Sequence, residues 1–239
     1  MRRWWREIVG LVLPVACGGC GSPRTELCRS CAAALEAGPC RVRPAPEPVG
    51  LPVVHAAAPY ENAVRAMLLA HKERGALGLA GALGGALAAA VRAGAGHSGD
   101  AGPLLLVPVP SARRATARRG HDPARRLAVA ATAELRRGGT RARVLAVLRQ
   151  RRAVADQAGL GARDRQTNLA GALVVADGGR ELLGAGRVVL VDDLLTTGAS
   201  LAEAARAVRA SGGPDGVPAE ALRAAVVAAS PAAFEINRN

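Results

Sequence analysis

The sequence predicts an α/β protein, a central parallel sheet flanked by helices with a small N-terminal zinc-binding module. Three observations predict it. Segments of helical periodicity alternate with short apolar runs, and those runs are continuous rather than alternating, as strands buried on both faces are. Four of the five cysteines fall before residue 32 and none lies beyond residue 40. A chain of 239 residues can bury one sizeable core and carry a small appendage. Half of it is hydrophobic but only 2% is aromatic, so the core must be packed from small aliphatic side chains.

In chain order, Arg2, Arg3 and Arg6 precede a short apolar run that ends before Cys17, the arrangement of a lipoprotein signal. Glu7 inside the positive region, Pro14 near the end of the run, and a run of about nine residues, too short to span a bilayer, favour an amphipathic helix that packs Trp4 and Trp5 on the domain. Two C-x-x-C pairs follow, Cys17 with Cys20 and Cys28 with Cys31. Such knuckles supply four thiolates to one tetrahedral zinc, and four thiolates leave no open position for water, so the expected metal is structural Zn2+. Gly18, Gly19 and Gly21 suit the turns, and disulfides are disfavoured without a convincing export signal. Cys40 has no assigned role. Pro44, Pro46, Pro48 and Pro52 then mark a semi-rigid linker, which divides the chain into residues 1–50 and a domain over 51–239. Beyond it, periodicity predicts helices at 61–72 and 77–93, a strand at 104–109, a helix at 122–137, and strands at 143–148, 171–176 and 187–191. A helix at 199–211 and a last strand at 221–228 complete the pattern. No run reaches the roughly 18 uninterrupted apolar residues of a membrane span, residues 75–91 coming nearest, and the expected location is cytoplasmic.

The stretch VVLVDDLLTTGAS, residues 188–200, carries the chemistry. An apolar strand runs into Asp192 and Asp193, expected to emerge together at its carboxyl end, where open α/β sheets bind ligands. Two adjacent carboxylates repel unless they bind sugar hydroxyls or lie near a divalent cation. Thr196, Thr197, Gly198, Ala199 and Ser200 then precede a periodic helix whose free amides and dipole favour an anion. The alternative is that Thr197 or Ser200 is an ordinary helix cap, which leaves the acids unexplained. No G-x-x-x-x-G-K-[ST] pattern is present, so the loop suits one monoester phosphate rather than a triphosphate. Acids for a diol beside a monophosphate cradle describe a ribose 5-phosphate site.

The net charge is +13. Thirteen arginines lie between Arg113 and Arg152 against two acids, Asp122 and Glu134; they suit a polyanion or phosphate ligand, although an Ala-, Gly- and Arg-rich chain also reflects coding bias. Lys72 is the one lysine.

VVLVDDLLTTGAS resembles the signature of the type I phosphoribosyltransferases, and the wider chain is similar to the ComF (competence protein F) family, which resembles amidophosphoribosyltransferase domains behind a cysteine-pair zinc module. The likeness extends to Val107-Pro108-Val109-Pro110, Arg118-Arg119-Gly120, Gln157-Ala158-Gly159-Leu160, and Arg165 with Asn168 before Gly171-Ala172-Leu173. The resemblance implies the type I phosphoribosyltransferase fold. It implies that Asp192 and Asp193 bind the ribose of 5-phosphoribosyl diphosphate (PRPP), directly or through Mg2+, and that Thr196 to Ser200 hold its 5-phosphate. Val109, Pro110 and Ser111 would begin the pyrophosphate loop, with Arg113, Arg114, Arg118 and Arg119 as candidate contacts. Two departures stand out: His121-Asp122-Pro123 replaces the usual aromatic-Asn-Gln, and a third cysteine pair is reduced to Cys40 with Arg43.

The expected activity is transfer of 5-phosphoribosyl to an unidentified nitrogenous acceptor with release of pyrophosphate, with no residue assigned as general base. The alternative is a non-catalytic descendant acting in DNA uptake through single-stranded DNA or a helicase partner. Against base stacking stands the scarcity of aromatics: Trp4, Trp5, Tyr60 and Phe234 are all there are, and none lies in the basic segment. Residues 150–170 are expected to form a lid over the reacting centre.

Overall fold

A computed structural model of the chain describes residues 15–96, 102–152, 154, 161–212 and 221–235. The helix expected to carry Trp4 and Trp5 falls outside the described residues, as does Gln157-Ala158-Gly159-Leu160.

The element order is α1 (Arg29–Ala33), β1 (Cys40–Val42), β2 (Val53–Pro59), α2 (Asn62–Glu73), a 3-10 turn (Leu77–Leu79) leading into α3 (Ala80–Ala95), β3 (Leu104–Pro108), α4 (Arg113–Arg119), α5 (Pro123–Arg137), β4 (Ala142–Val144), β5 (Leu148–Gln150), α6 (Ala162–Leu169), β6 (Leu173–Val175), α7 (Gly179–Leu183), β7 (Arg187–Leu195), α8 (Ala199–Ser211), β8 (Arg223–Ala229) and α9 (Ala232–Glu235). Six strands form one sheet in the order β1-β2-β8-β7-β3-β4. All neighbours are parallel except β1, which runs antiparallel to β2.

The expected parallel sheet is present, with differences that have physical reasons. Strand β2, VVHAAAP, has three alanines in its seven residues, follows Pro52 and ends on Pro59, which hides it among linker residues by composition. Its partner β1 brings Cys40 to Val42 into the same sheet. The run at 143–148 divides: Ala142 to Val144 pair with β3, while Leu148 to Gln150 pair antiparallel with β6 in a separate two-stranded hairpin. The segment at 171–176 therefore joins that hairpin rather than the main sheet. Helix α5 starts where its chemistry dictates, with Asp122 accepting a 3.1 Å bond from the Arg125 amide and Pro123 at the first turn.

Helices cover both faces. Met67, Leu83, Leu87, Leu127, Ala131 and Leu135 from α2, α3 and α5 form one buried cluster with Val189, Val191 and Val227 of the sheet. Leu201, Ala204, Ala205 and Val208 of α8 pack on the other face with Val188, Leu190 and Val226. The abundance of Ala and Gly allows close helix approach: a Cβ on Gly84 of α3 would meet Ala130 Cβ at 2.4 Å. Leu77–Ala95 is long and apolar enough to cross a membrane by length and composition, but Leu83, Leu87, Ala88, Ala90 and Val91 are fully buried against the sheet and α5, as in a core helix. Cys17, Cys31 and Leu35 belong to the same cluster as α2 and α3, so the cysteine module is packed on the main core.

Strands β3 and β7 are neighbours, yet the chain leaves them in opposite directions. From β3 it passes through α4 and α5 to β4 on one side; from β7 it passes through α8 to β8 on the other. With α5 on one face and α8 on the other, the exits diverge at the carboxyl ends of these two strands, the topological switch point at which doubly wound sheets place their ligand crevice.

Candidate functional site

Both sequence motifs end at this crevice. Val109 leaves β3 beside β7, its amide donating to the Val191 carbonyl at 2.9 Å. Pro110 and Ser111 follow, half-buried, and α4 carries the arginines. Across from them stand Asp192 and Asp193.

The acids differ from expectation in placement. Strand β7 continues to Leu195, so Asp192 and Asp193 lie within the strand rather than beyond its end, with their carboxyls close enough to interact with each other. Asp193 is 5% exposed and its Oδ2 lies 2.7 Å from Lys72 Nζ at the end of α2. Burial alone would raise its pKa, but the Lys72 ammonium outweighs burial and holds Asp193 below the usual carboxylate range. Asp192 is pushed well above that range by burial and then by the Asp193 charge, while its Oδ1 accepts the Asp193 amide at 2.8 Å. Lys72, against the cost of its own burial, is held above its ordinary pKa by the two carboxylates. One ammonium thus faces two carboxylates, and a second cation would relieve the remaining charge. Their hard oxygens suit Mg2+.

Sequence reasoning missed Lys72 because 120 residues separate it from Asp193. A signal was present in composition: a chain that uses arginine almost everywhere has one lysine. Beside Lys72, His71 is fully buried with neither ring nitrogen hydrogen-bonded, and burial, followed by nearby His121, lowers its pKa to about 4.

The hydroxyl loop forms the N-terminus of α8. Gly198 occupies the cap position at φ 77° and no side chain caps the helix, so the reading of Thr197 or Ser200 as an ordinary cap does not hold. The first-turn amides of a 13-residue helix are left to a ligand or solvent. A Cβ at Gly198 would meet Leu51 at 3.1 Å and Pro44 at 3.3 Å, so the Pro-rich segment backs the loop. From the far side, Arg165 Nη1 donates to Thr196 Oγ1 at 3.2 Å, which brings α6, part of the expected lid segment, onto the loop.

Of the arginines named for the opposite side, Arg114 and Arg118 are exposed on α4. Arg119 instead makes a two-pronged pair with Glu73, at 2.9 Å from Nε and 2.5 Å from Nη2; nothing is described of the Arg113 side chain. The basic segment is not one patch: Arg114 and Arg118 are on α4, which follows the carboxyl end of β3, whereas Arg136, Arg141 and Arg143 line an open cavity of about 570 Å³ with Pro103 and Ala185, at the amino ends of β3 and β7. The unusual His121-Asp122-Pro123 also has defined roles, since Asp122 and Pro123 start α5 and the His121 ring nitrogens lie 3.1 Å from the Arg119 carbonyl and 3.3 Å from that of His71.

In the N-terminal module, the sulfurs of Cys17, Cys20, Cys28 and Cys31 all lie within 4.8 Å of one another, and Cys20 and Cys28 are 3.6 Å apart. Tetrahedral zinc with bonds of about 2.3 Å places sulfurs about 3.8 Å apart, so the four can hold a metal such as zinc. Burial works against the Cys17 thiolate, yet the amides of Cys20, Cys28 and Gly19 bring its pKa down to about 6. Burial and the neighbouring thiols push Cys31 up, the expected response of a thiolate cluster to mutual repulsion. Cys40 is exposed on β1, away from this cluster.

Comparison with known proteins adds no relative: no protein-family model matches the chain, and no curated protein matches it.

Proposed function

We propose that this protein has the type I phosphoribosyltransferase fold and is a phosphoribosyltransferase-type enzyme of the ComF kind, one that binds PRPP with Mg2+ and transfers its 5-phosphoribosyl group to a nitrogen nucleophile. The observation that carries the reading is the convergence of a carboxylate pair and an uncapped, hydroxyl-rich helix N-terminus on one β7–α8 unit, at the switch point facing the β3 loop and its arginines.

In this reading Asp192 and Asp193 orient the ribose 2- and 3-hydroxyls, and Thr196 to Ser200 donate backbone and hydroxyl hydrogens to the 5-phosphate. The 5-phosphate and diol contacts present C1 toward the Val109-Pro110-Ser111 loop. There a nitrogen lone pair forms the bond to C1 as the C1–O bond breaks, pyrophosphate leaves with that electron pair, and the acceptor's proton passes to solvent. Mg2+ held at the acids would neutralise the leaving group. Arg114 and Arg118 add preorganised positive charge on the same side. The transition state is loose and cationic at the sugar, so the site needs little covalent or base chemistry.

Micromolar binding of PRPP in the presence of Mg2+ tests this, together with pyrophosphate release when nitrogenous acceptors are screened. Folded, metal-loaded protein that binds no PRPP would refute it.

A further inference from the structure

The last turn of α2 grips both sides of the crevice with three consecutive residues. Lys72 holds Asp193 of β7. Glu73 holds Arg119 at the end of α4 through both carboxylate oxygens, and the His71 carbonyl lies against His121, whose other ring nitrogen contacts the Arg119 carbonyl. The Arg119 side chain is only 12% exposed, so its guanidinium is committed within the fold, while Arg114 and Arg118 on the same helix remain exposed. Helix α4 has seven residues and no side-chain cap, and helices this short do not hold their position by propensity alone. Its placement therefore depends on such tertiary ties.

We propose that Glu73 is a positioning residue for the pyrophosphate side of the site: through Arg119 it fixes the arginine helix α4 at a set distance from the carboxylates of β7, with Lys72 anchoring the same turn to Asp193. This inference rests on the function proposed above. Its content is spatial, since a ligand spanning both halves feels the clasp and a ligand held by one half does not. Misplacement of about 1 Å between reacting groups costs on the order of 10²-fold in rate.

The test uses full-length Glu73→Arg, Arg119→Glu and the reciprocal double variant, with two readouts. Hydrogen exchange over residues 113–119 reports the clasp without any ligand. Calorimetry compares Mg2+-PRPP, which spans both halves, with ribose 5-phosphate, which engages only β7 and the α8 loop. Glu73→Arg should speed exchange in 113–119 and weaken PRPP about tenfold or more while leaving ribose 5-phosphate unchanged, and the charge-reversed pair should restore both readouts to within about threefold. Unaltered exchange in Glu73→Arg would overturn the proposal. So would a double variant with restored exchange but PRPP binding as weak as in Arg119→Glu, because Arg119 would then be a direct contact. Wild-type protein that binds neither ligand refutes the proposed function instead, and the exchange results alone then decide whether the clasp exists.

Discussion

Lys72 meets Asp193 where the strand is buried on both sides, and the pair cannot be separated cheaply. Replacing Lys72 with Met leaves a buried carboxylate without its counter-ion; because a third of the lysine side chain reaches solvent, the expected loss is about 2 kcal/mol rather than the 3–5 of a fully buried pair, measurable by urea unfolding at pH 7. His71 gives the second prediction at this scale. Its folded pKa of about 4 lies below the ordinary 6.5, so the unfolded chain takes up the proton first as pH falls. Stability is present above pH 6.5 and lost toward pH 4, amounting to roughly 2 kcal/mol between pH 7 and pH 5. His71→Leu, which also removes two unpaired buried nitrogens, should flatten that part of the pH profile, and an unchanged slope would show that another group governs it. Neither effect was legible in the sequence. Asp192 and Asp193 were conspicuous as charges beside an apolar run, but what neutralises them depends on a helix far away in the chain.

Element by element, the β7–α8 unit was the most legible part of the molecule, because a continuous apolar run, adjacent acids and a Gly-centred hydroxyl cluster each have a distinct physical purpose. Its one displaced boundary follows from the same signal: polar residues predict that the strand ends at 191, whereas Asp192 and Asp193 are inside it. Strands β1 and β2 were obscured by prolines and alanines, and α4, RRATARR, has no apolar face to give a period. Gly198 supplies the prediction here. At φ 77° with Leu51 and Pro44 behind it, Gly198→Val should cost about 2 kcal/mol and weaken ribose 5-phosphate binding; full affinity in the variant would mean that the loop does not cradle the phosphate.

For the molecule as a whole, the two cysteine pairs announced a metal module by spacing alone, and the four sulfurs do converge. What spacing could not give is the docking of that module: Cys17 and Cys31 are buried in the cluster that contains Met67 of α2 and Leu83 of α3. Metal removal should therefore lower the melting temperature of the entire chain in one transition rather than release a separate small unit. Titrated metal analysis should find about one zinc per chain, and a second, independent transition after chelation would contradict this packing.

Calorimetric titration of PRPP with Mg2+ into the wild type and into an Asp192→Asn, Asp193→Asn double variant decides whether these acids form a PRPP site. The wild type should bind with micromolar affinity and the folded variant not at all. Equal binding by both, or none by a well-folded wild type, would rule the site out.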